Sequence, residues 1–226
     1  MKPLGIITGL ALEARCLGAG LNGLTVRCSG PGPERAGKTA RALLKEGCTA
    51  LISFGLAGGL DPAIGPGDLV LADSVITADG KRFVTDREWR QRLCAALSDT
   101  PCVSAPLLGV GQAITMPEDK RRLFLDTGAV AVDMESHAVA EVADEAGIPF
   151  LAVRVIADPA AGEIPSSALK GVGEDGRSRP LAVALALLWR PWELPAILRL
   201  KRDSDRALAA LRRIALLVGP SFGSDD

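Results

Sequence analysis

Three carboxylates placed just after apolar runs are the residues of this chain most able to do chemistry. Glu13 follows the run Leu4–Thr8 and a turn at Gly9, Glu135 follows residues 129–132, and Asp158 follows residues 150–156. Each run has the pattern of a buried strand, and ligands of open α/β sheets bind beyond the carboxyl ends of the strands. Carboxylates brought together there from distant parts of the chain suit proton transfer, one giving a proton and another taking one. The glycine-rich turns at 29–32 and 55–59 fall at the same end, where backbone N–H groups can approach an anion or a sugar oxygen closely. Each carboxylate also has a plainer reading. Glu135 opens a helix and offsets its dipole, Asp158 starts an Asp-Pro turn, and Glu13 is solvated on an amphipathic first turn. Neither glycine segment is a Walker motif, and Gly-Leu-Ala-Gly-Gly is not the dinucleotide fingerprint. The residues alone therefore point to a small-molecule enzyme with a carboxylate-rich pocket.

The elements that must position these groups follow from periodicity. Strands are expected at Leu4–Thr8, Leu24–Cys28, 49–53, 69–76, 102–110, 129–132 and 150–156, with a loop running from 54 to 68. Helices are expected from Pro33 to a stop at Gly47, at 86–97, at 117–125 and over the stripe Ala138, Val139, Val142, Ala143 and Ala146, closed by Gly147. Lys120-Arg121-Arg122 reads as a solvated helix face, and His137 as structural. Strands alternating with helices define a three-layer α/β/α sandwich around a mixed, largely parallel twisted sheet. One domain over 1–226 is expected, with 180–226 a helical C-terminal extension. That extension follows a loop of Gly, Pro and Ser from 158 to 180, long enough to suggest function. It is expected to hold helices at 181–189, 192–200 and 207–218.

Composition excludes several classes. A net charge of −1 gives no reason to expect nucleic acid. Five cysteines form no CxxC pair, and with a single histidine they argue against a metal site or a disulfide framework; they read as small buried residues in a reducing compartment. Lys2 and the apolar residues behind it imitate a secretory signal, but Glu13 and Arg15 interrupt the run and no cleavage site follows. No apolar run approaches the ~20 residues that span a bilayer. The expected location is cytoplasmic.

The same segments resemble the nucleoside phosphorylase/nucleosidase superfamily, in particular its methylthioadenosine/S-adenosylhomocysteine nucleosidases. The resemblance runs from Gly5 to about Asp158. Phe54-Gly-Leu-Ala-Gly-Gly-Leu with Gly-Pro-Gly-Asp-Leu-Val-Leu-Ala-Asp behind it resembles the signature glycine loop and following strand. Ala131-Val-Asp-Met-Glu-Ser resembles the ribose-binding segment, and Arg154-Val-Ile-Ala-Asp resembles Arg-x-Ile-Ser-Asp. The resemblance implies Asp158 as the acid that protonates purine N7, Glu135 as the clamp on the ribose hydroxyls with Met134 against the sugar, and Gln112, Ile114 and Thr115 along the base. Ser29, Gly30, Ala57 and Gly58 would hold the water or phosphate nucleophile, with Arg154 among the binding residues. The family's water-activating Glu aligns without gaps to Ala14; Glu13, one residue earlier, is assigned that role. Leu56 and Ala157 replace family serines, and Ser53 stands where purine phosphorylases carry a phosphate-binding arginine. No cofactor is implied; phosphate is a candidate co-substrate, with Arg15, Arg35 or Arg154 as its partner.

Glu-Ala-Arg near the start, Ser-Gly-Pro-Gly-Pro-Glu-Arg-Ala and Trp-Arg-Pro-Trp-Glu-Leu-Pro resemble the hopanoid-associated phosphorylase branch, which implies release of adenine from adenosylhopane. From Arg177 to Arg213 there are nine Arg/Lys against three acids, with Trp189 and Trp192 flanking Arg-Pro. The implied partners are a nucleoside, lipid-linked in this branch, peripheral contact with the inner face of the membrane through the C-terminal helices, and further copies of the chain. The alternatives are a methylthioadenosine, S-adenosylhomocysteine or futalosine nucleosidase and, outside enzymes, a nucleoside- or lipid-binding module.

Overall fold

The computed structural model describes residues 3–18, 24–97, 100–219 and 222–223; Lys2, weighed above as part of a signal, lies outside them. The chain begins with β1 (Leu4–Thr8), α1 (Ala11–Cys16), β2 (Leu24–Cys28), α2 (Pro33–Lys45) and β3 (Ala50–Gly59). Short strands β4 (Leu69–Leu71), β5 (Ser74–Ile76) and β6 (Arg82–Val84) precede α3 (Arg87–Ala96), β7 (Cys102–Val103) and β8 (Leu107–Gly109). Then come α4 (Pro117–Thr127), β9 (Ala131–Asp133), α5 (Ser136–Ala146), β10 (Phe150–Asp158), α6 (Pro180–Trp189) and α7 (Leu194–Val218).

The strands form one mixed sheet in the order β6-β5-β8-β9-β3-β10-β4-β7, with β1 paired parallel to both β3 and β2. The central β3–β10 pair is parallel, and β9 and β4 run antiparallel to it. Alternation along β10 explains the layers. Leu151, Val153, Val155 and Ala157 pack with Trp89, Leu93, Leu211 and Ile214 on the α3/α7 side. Phe150, Ala152 and Ile156 pack with Ala36, Ala40, Leu43, Val139 and Val142 on the α2/α5 side. With helices on both faces, every β10 residue is buried, which is why this strand reads as a continuous apolar run.

Several expectations are corrected. The glycine segment 54–59 is not loop: β3 runs through it, with Gly55 opposite Arg154 and Gly58 opposite Asp158. Residues 69–76 divide into β4 and β5, which pair with different strands, and β6 completes the edge. The two distal helices at 192–200 and 207–218 are one helix, α7. The charged run 201–206 does not break it: Lys201, Arg202, Asp205 and Arg206 are exposed, Lys201 pairing with Asp205 one turn on, and Asp203 alone is buried. Its second half, through Ala207, Leu211, Ile214, Ala215 and Val218, is core. Of the cysteines only Cys48 is buried; Cys28 is exposed, and the Sγ atoms of Cys94 and Cys102 lie 3.3 Å apart.

Candidate functional site: a carboxylate pocket at the carboxyl ends of the strands

Beyond the carboxyl ends of β1, β3, β9 and β10 lies a cavity of about 390 Å³. Glu13, Asp133, Glu135 and Asp158 line it, so the three expected carboxylates do converge. Glu13 sits on the short helix α1, 3 % exposed. Its Oε2 accepts from the Leu10 N–H and its Oε1 from the Leu56 N–H, both at 2.8 Å, tying α1 to the end of β3. Burial pushes its carboxyl above the usual range, against the pull of Arg154 and of the backbone N–H groups of Leu56, Leu10 and Gly9.

Glu135 stands at the N-terminal end of α5 without capping it, and its Oε1 accepts from the Gly32 N–H at 2.9 Å, joining the starts of α5 and α2. Burial lifts its carboxyl to about 7, helped by Asp133 and Glu13 and opposed by Arg154 and the Gly32 N–H. The backbone just after β1 comes so close that a Cβ on Gly9 would lie 2.9 Å from the Glu135 carboxyl carbon. Asp158, the last residue of β10, follows a register shift after Ile156 that ends regular pairing. Burial raises this carboxyl too, while the Lys120 ammonium pulls it down.

Arg154 is fully buried behind the cavity and does not line it. It lies 2.5 Å from Asp133 and 3.8 Å from Glu135, and it donates to the hydroxyls of Ser53 and Ser136. A Cβ on Gly55 would stand 2.4 Å from Arg154 Nη1 and 2.6 Å from Glu13 Oε1, so only glycine lets the arginine and this carboxylate meet across β3.

Of the other expected residues, Met134, Ile114, Ala57 and Gly58 line the cavity. Gln112 is exposed, and neither it nor Thr115 reaches the lining; the Thr115 carbonyl instead accepts from the Ile164 N–H at 2.9 Å. Ser29 and Gly30 also stand outside it. The Ser29 hydroxyl is spent on the Gly30 and Thr8 carbonyls, and the 174 backbone covers Gly30. Of the candidate phosphate cations, Arg35 pairs with Glu174 on the surface at 2.8 Å. His137 is absent from the lining, and burial lowers its pKa, favouring the neutral ring.

The solvated face expected at 120–122 holds for Arg121 and Arg122 only. Lys120 is fully buried and donates to Asp158 Oδ2, to the Pro159 carbonyl at 3.0 Å and to the Gly162 carbonyl at 2.8 Å. The far wall of the cavity comes from segments with no motif: Ile164, Ala168, Leu169 and Val172, with Leu200 and Ser204 of α7.

Fold and site together define a three-layer α/β domain that gathers buried carboxylates around a small-molecule cavity. The phosphorylase superfamily model matches residues 21–188, and the chain belongs to that family. It is 32 % identical to the 5′-methylthioadenosine/S-adenosylhomocysteine nucleosidase of Marinomonas sp. (strain MWYL1) over 139 residues, 52 % of this chain and 59 % of that one. The Mycobacterium bovis enzyme of the same name is 26 % identical over 192 residues, 67 % of this chain and 75 % of that one. Among solved structures, the Neisseria meningitidis nucleosidase of that name, in complex with methylthio-immucillin-A, superposes with a TM-score of 0.74 at 15 % identity, covering 96 % and 99 % of the two chains. A futalosine hydrolase mutant of Helicobacter pylori gives 0.63 at 19 % identity over 69 % and 89 %. At these identities the two structures speak for the fold.

Proposed function

We propose that this protein is a nucleosidase: it hydrolyses the N-glycosidic bond of a 5′-substituted adenosine and releases adenine. The observation that carries this reading is the acidity of the cavity. Four carboxylates line it, and no lysine or arginine does so among the described residues. A phosphate dianion entering it would find no cation on the described lining to pair with, and the Arg154 guanidinium close behind it is already held by Asp133, Ser53 and Ser136. Water carries no such penalty. The curated relatives named above are nucleosidases, which supports the soluble-substrate reading over the hopanoid phosphorylase.

In this mechanism Asp158, whose carboxyl pKa burial raises, gives a proton to purine N7 as the C1′–N9 bond breaks and the electron pair leaves with the base. Glu135 accepts the ribose 2′- and 3′-hydroxyls and offsets positive charge developing on the sugar. Glu13 takes a proton from the attacking water. The backbone N–H groups of Leu10, Leu56 and Gly9 face its two oxygens and leave lone-pair capacity for a water, and burial makes it a stronger base than an exposed carboxylate. No cofactor is needed. The test is adenine release from 5′-methylthioadenosine in phosphate-free buffer. Turnover that phosphate does not accelerate is expected; release only when phosphate is added would overturn the hydrolytic reading.

A second reading concerns the 5′ substituent and rests on α6. This helix is Pro-Leu-Ala-Val-Ala-Leu-Ala-Leu-Leu-Trp, yet none of its residues is buried: Leu181, Leu185, Leu188 and Trp189 are 78 %, 63 %, 76 % and 84 % exposed. It packs on the short turn Ala168–Gly171, which supplies Leu169 to the cavity wall. Arg179 and Arg190 stand at its two ends. Such a face suits contact with an anionic lipid surface, and a long apolar 5′ group, as in adenosylhopane, would leave the cavity beside it. Co-sedimentation with anionic vesicles is expected, and its loss in Leu185→Glu. Equal partition with and without vesicles, or self-association that consumes this face, would count against membrane contact.

A further inference from the structure

Lys120 is a buried cation that the mechanism above leaves without a task. It is reached from outside the strand ends, on the first turn of α4, and its side chain is fully enclosed. Three acceptors surround its nitrogen: Asp158 Oδ2 and the carbonyls of Pro159 and Gly162. Only an ammonium has three N–H donors to meet them; a neutral amine has two. As an ammonium it donates to all three, and its direction is fixed from three sides. Every described hydrogen bond to the Asp158 carboxyl falls on Oδ2, so Oδ1 remains for a ligand in the cavity that Asp158 lines.

We propose that Lys120 is the positioning residue of the acid: it holds Oδ2, leaves Oδ1 to face the leaving base, and stabilises the carboxylate that forms as the proton departs. This rests on the assignment of Asp158 as the proton donor. With the proton on Oδ1, Asp158 accepts a hydrogen bond from the ammonium at Oδ2. As the Oδ1–H bond breaks and N7–H forms, that contact becomes a buried ion pair, so the attraction grows along the reaction coordinate and is weakest in the ground state. An interaction that strengthens only toward the transition state raises kcat and leaves KM nearly alone. The proton lost is replaced from solvent after adenine leaves, while Glu13 releases the one taken from water. Other charged groups around Asp158 are Glu13 and Glu135 across the cavity and Glu163, Arg199 and Asp203 around the neighbouring cleft. None of these is hydrogen-bonded to its carboxyl, so Lys120 is the partner whose removal the acid should feel.

The experiment compares wild type, Lys120→Gln and Lys120→Arg on two substrates, 5′-methylthioadenosine and a 4-nitrophenyl riboside, whose phenolate leaves without a proton. With the nucleoside, Lys120→Gln is expected to lose about 10–100-fold in kcat with KM little changed, within the range of general-acid catalysis. Activity needs Asp158 protonated, and without the cation its pKa rises, so the alkaline limb of the kcat profile should move up by about one unit or more. Lys120→Arg should keep the limb near its wild-type position. With the nitrophenyl riboside the glutamine variant should match wild type. Equal losses on both substrates with an unmoved limb would make Lys120 a structural residue only and overturn the proposal, as would wild-type kcat on the nucleoside. Should Lys120→Gln not fold, Lys120→Arg decides: a loss confined to the nucleoside supports the proposal and an equal loss on both overturns it. Wild-type turnover by Asp158→Asn would instead remove the acid assignment itself, so the two failures are distinct.

Discussion

The carboxyl ends of β1, β3 and β10 and the helix α6 invert each other. In the first region charge is inside: Glu13, Asp133, Glu135, Arg154, Asp158 and Lys120 are all buried. In the second, hydrocarbon is outside, with leucines and a tryptophan more than half exposed. Burying a charge costs free energy unless partners meet it, and here each group has them, from the Leu56 and Gly32 N–H groups to the Pro159 carbonyl. The remaining imbalance is visible as raised carboxyl pKa values, the property an acid and a base at neutral pH require. Exposed leucines are costly in the other direction, and no such compensation is present on α6. The site is thus strained toward chemistry, and α6 toward contact with something apolar.

Substitutions can break this comparison, beginning with the largest effect. Asp158→Asn should lower adenine release by about 10³-fold or more while the protein stays folded, since the amide cannot give N7 a proton; near-normal turnover would separate burial of this group from function. Leu211 and Leu185 provide the stability arm. Leu211→Ala, in the fully buried half of α7, should cost about 2–5 kcal/mol in urea unfolding. Leu185→Ala on α6 should stay within about 0.5 kcal/mol in the absence of vesicles. Equal costs would mean α6 is covered in solution.

Glu135→Gln gives the subtlest effect. A carboxyl raised from its ordinary value to about 7 favours the folded state below the ordinary value. That contribution is lost as pH rises through about 7. Glu13 and Asp158 are shifted in the same direction, so Tm should fall from mildly acidic toward alkaline pH. The glutamine variant should flatten the fall and bind nucleoside more weakly; an unchanged slope would place the buried charge elsewhere.

Much of this was legible in the sequence because the strongest patterns are those of elements enclosed on both faces. The continuous apolar run of β10, the Pro33 start of α2 and the Gly147 stop of α5 all stand where their local chemistry puts them. The carboxylates were visible because each ends such a run or opens the turn after it. What stayed hidden depends on neighbours far along the chain. Glycines 55, 58 and 59 look like a loop until Arg154 and Asp158 occupy the space their missing side chains leave. Lys120 sits among exposed charges, and only the fold of 158–162 over α4 gives its ammonium three acceptors. Ile114 lies in the cavity as expected, but the turn carries Ala113 inward with it and leaves Gln112 and Thr115 outside. The wall from Ile164 to Val172 has no periodic signal because it is held by isolated contacts such as Ile164 to Thr115.

The central claim, that this acidic cavity uses water, can be tested directly by following the oxygen. 5′-Methylthioadenosine is incubated with the protein in ¹⁸O-water containing phosphate, and the sugar product is weighed by mass spectrometry. The account predicts free methylthioribose carrying one ¹⁸O at the anomeric carbon. Methylthioribose 1-phosphate without the label would contradict it.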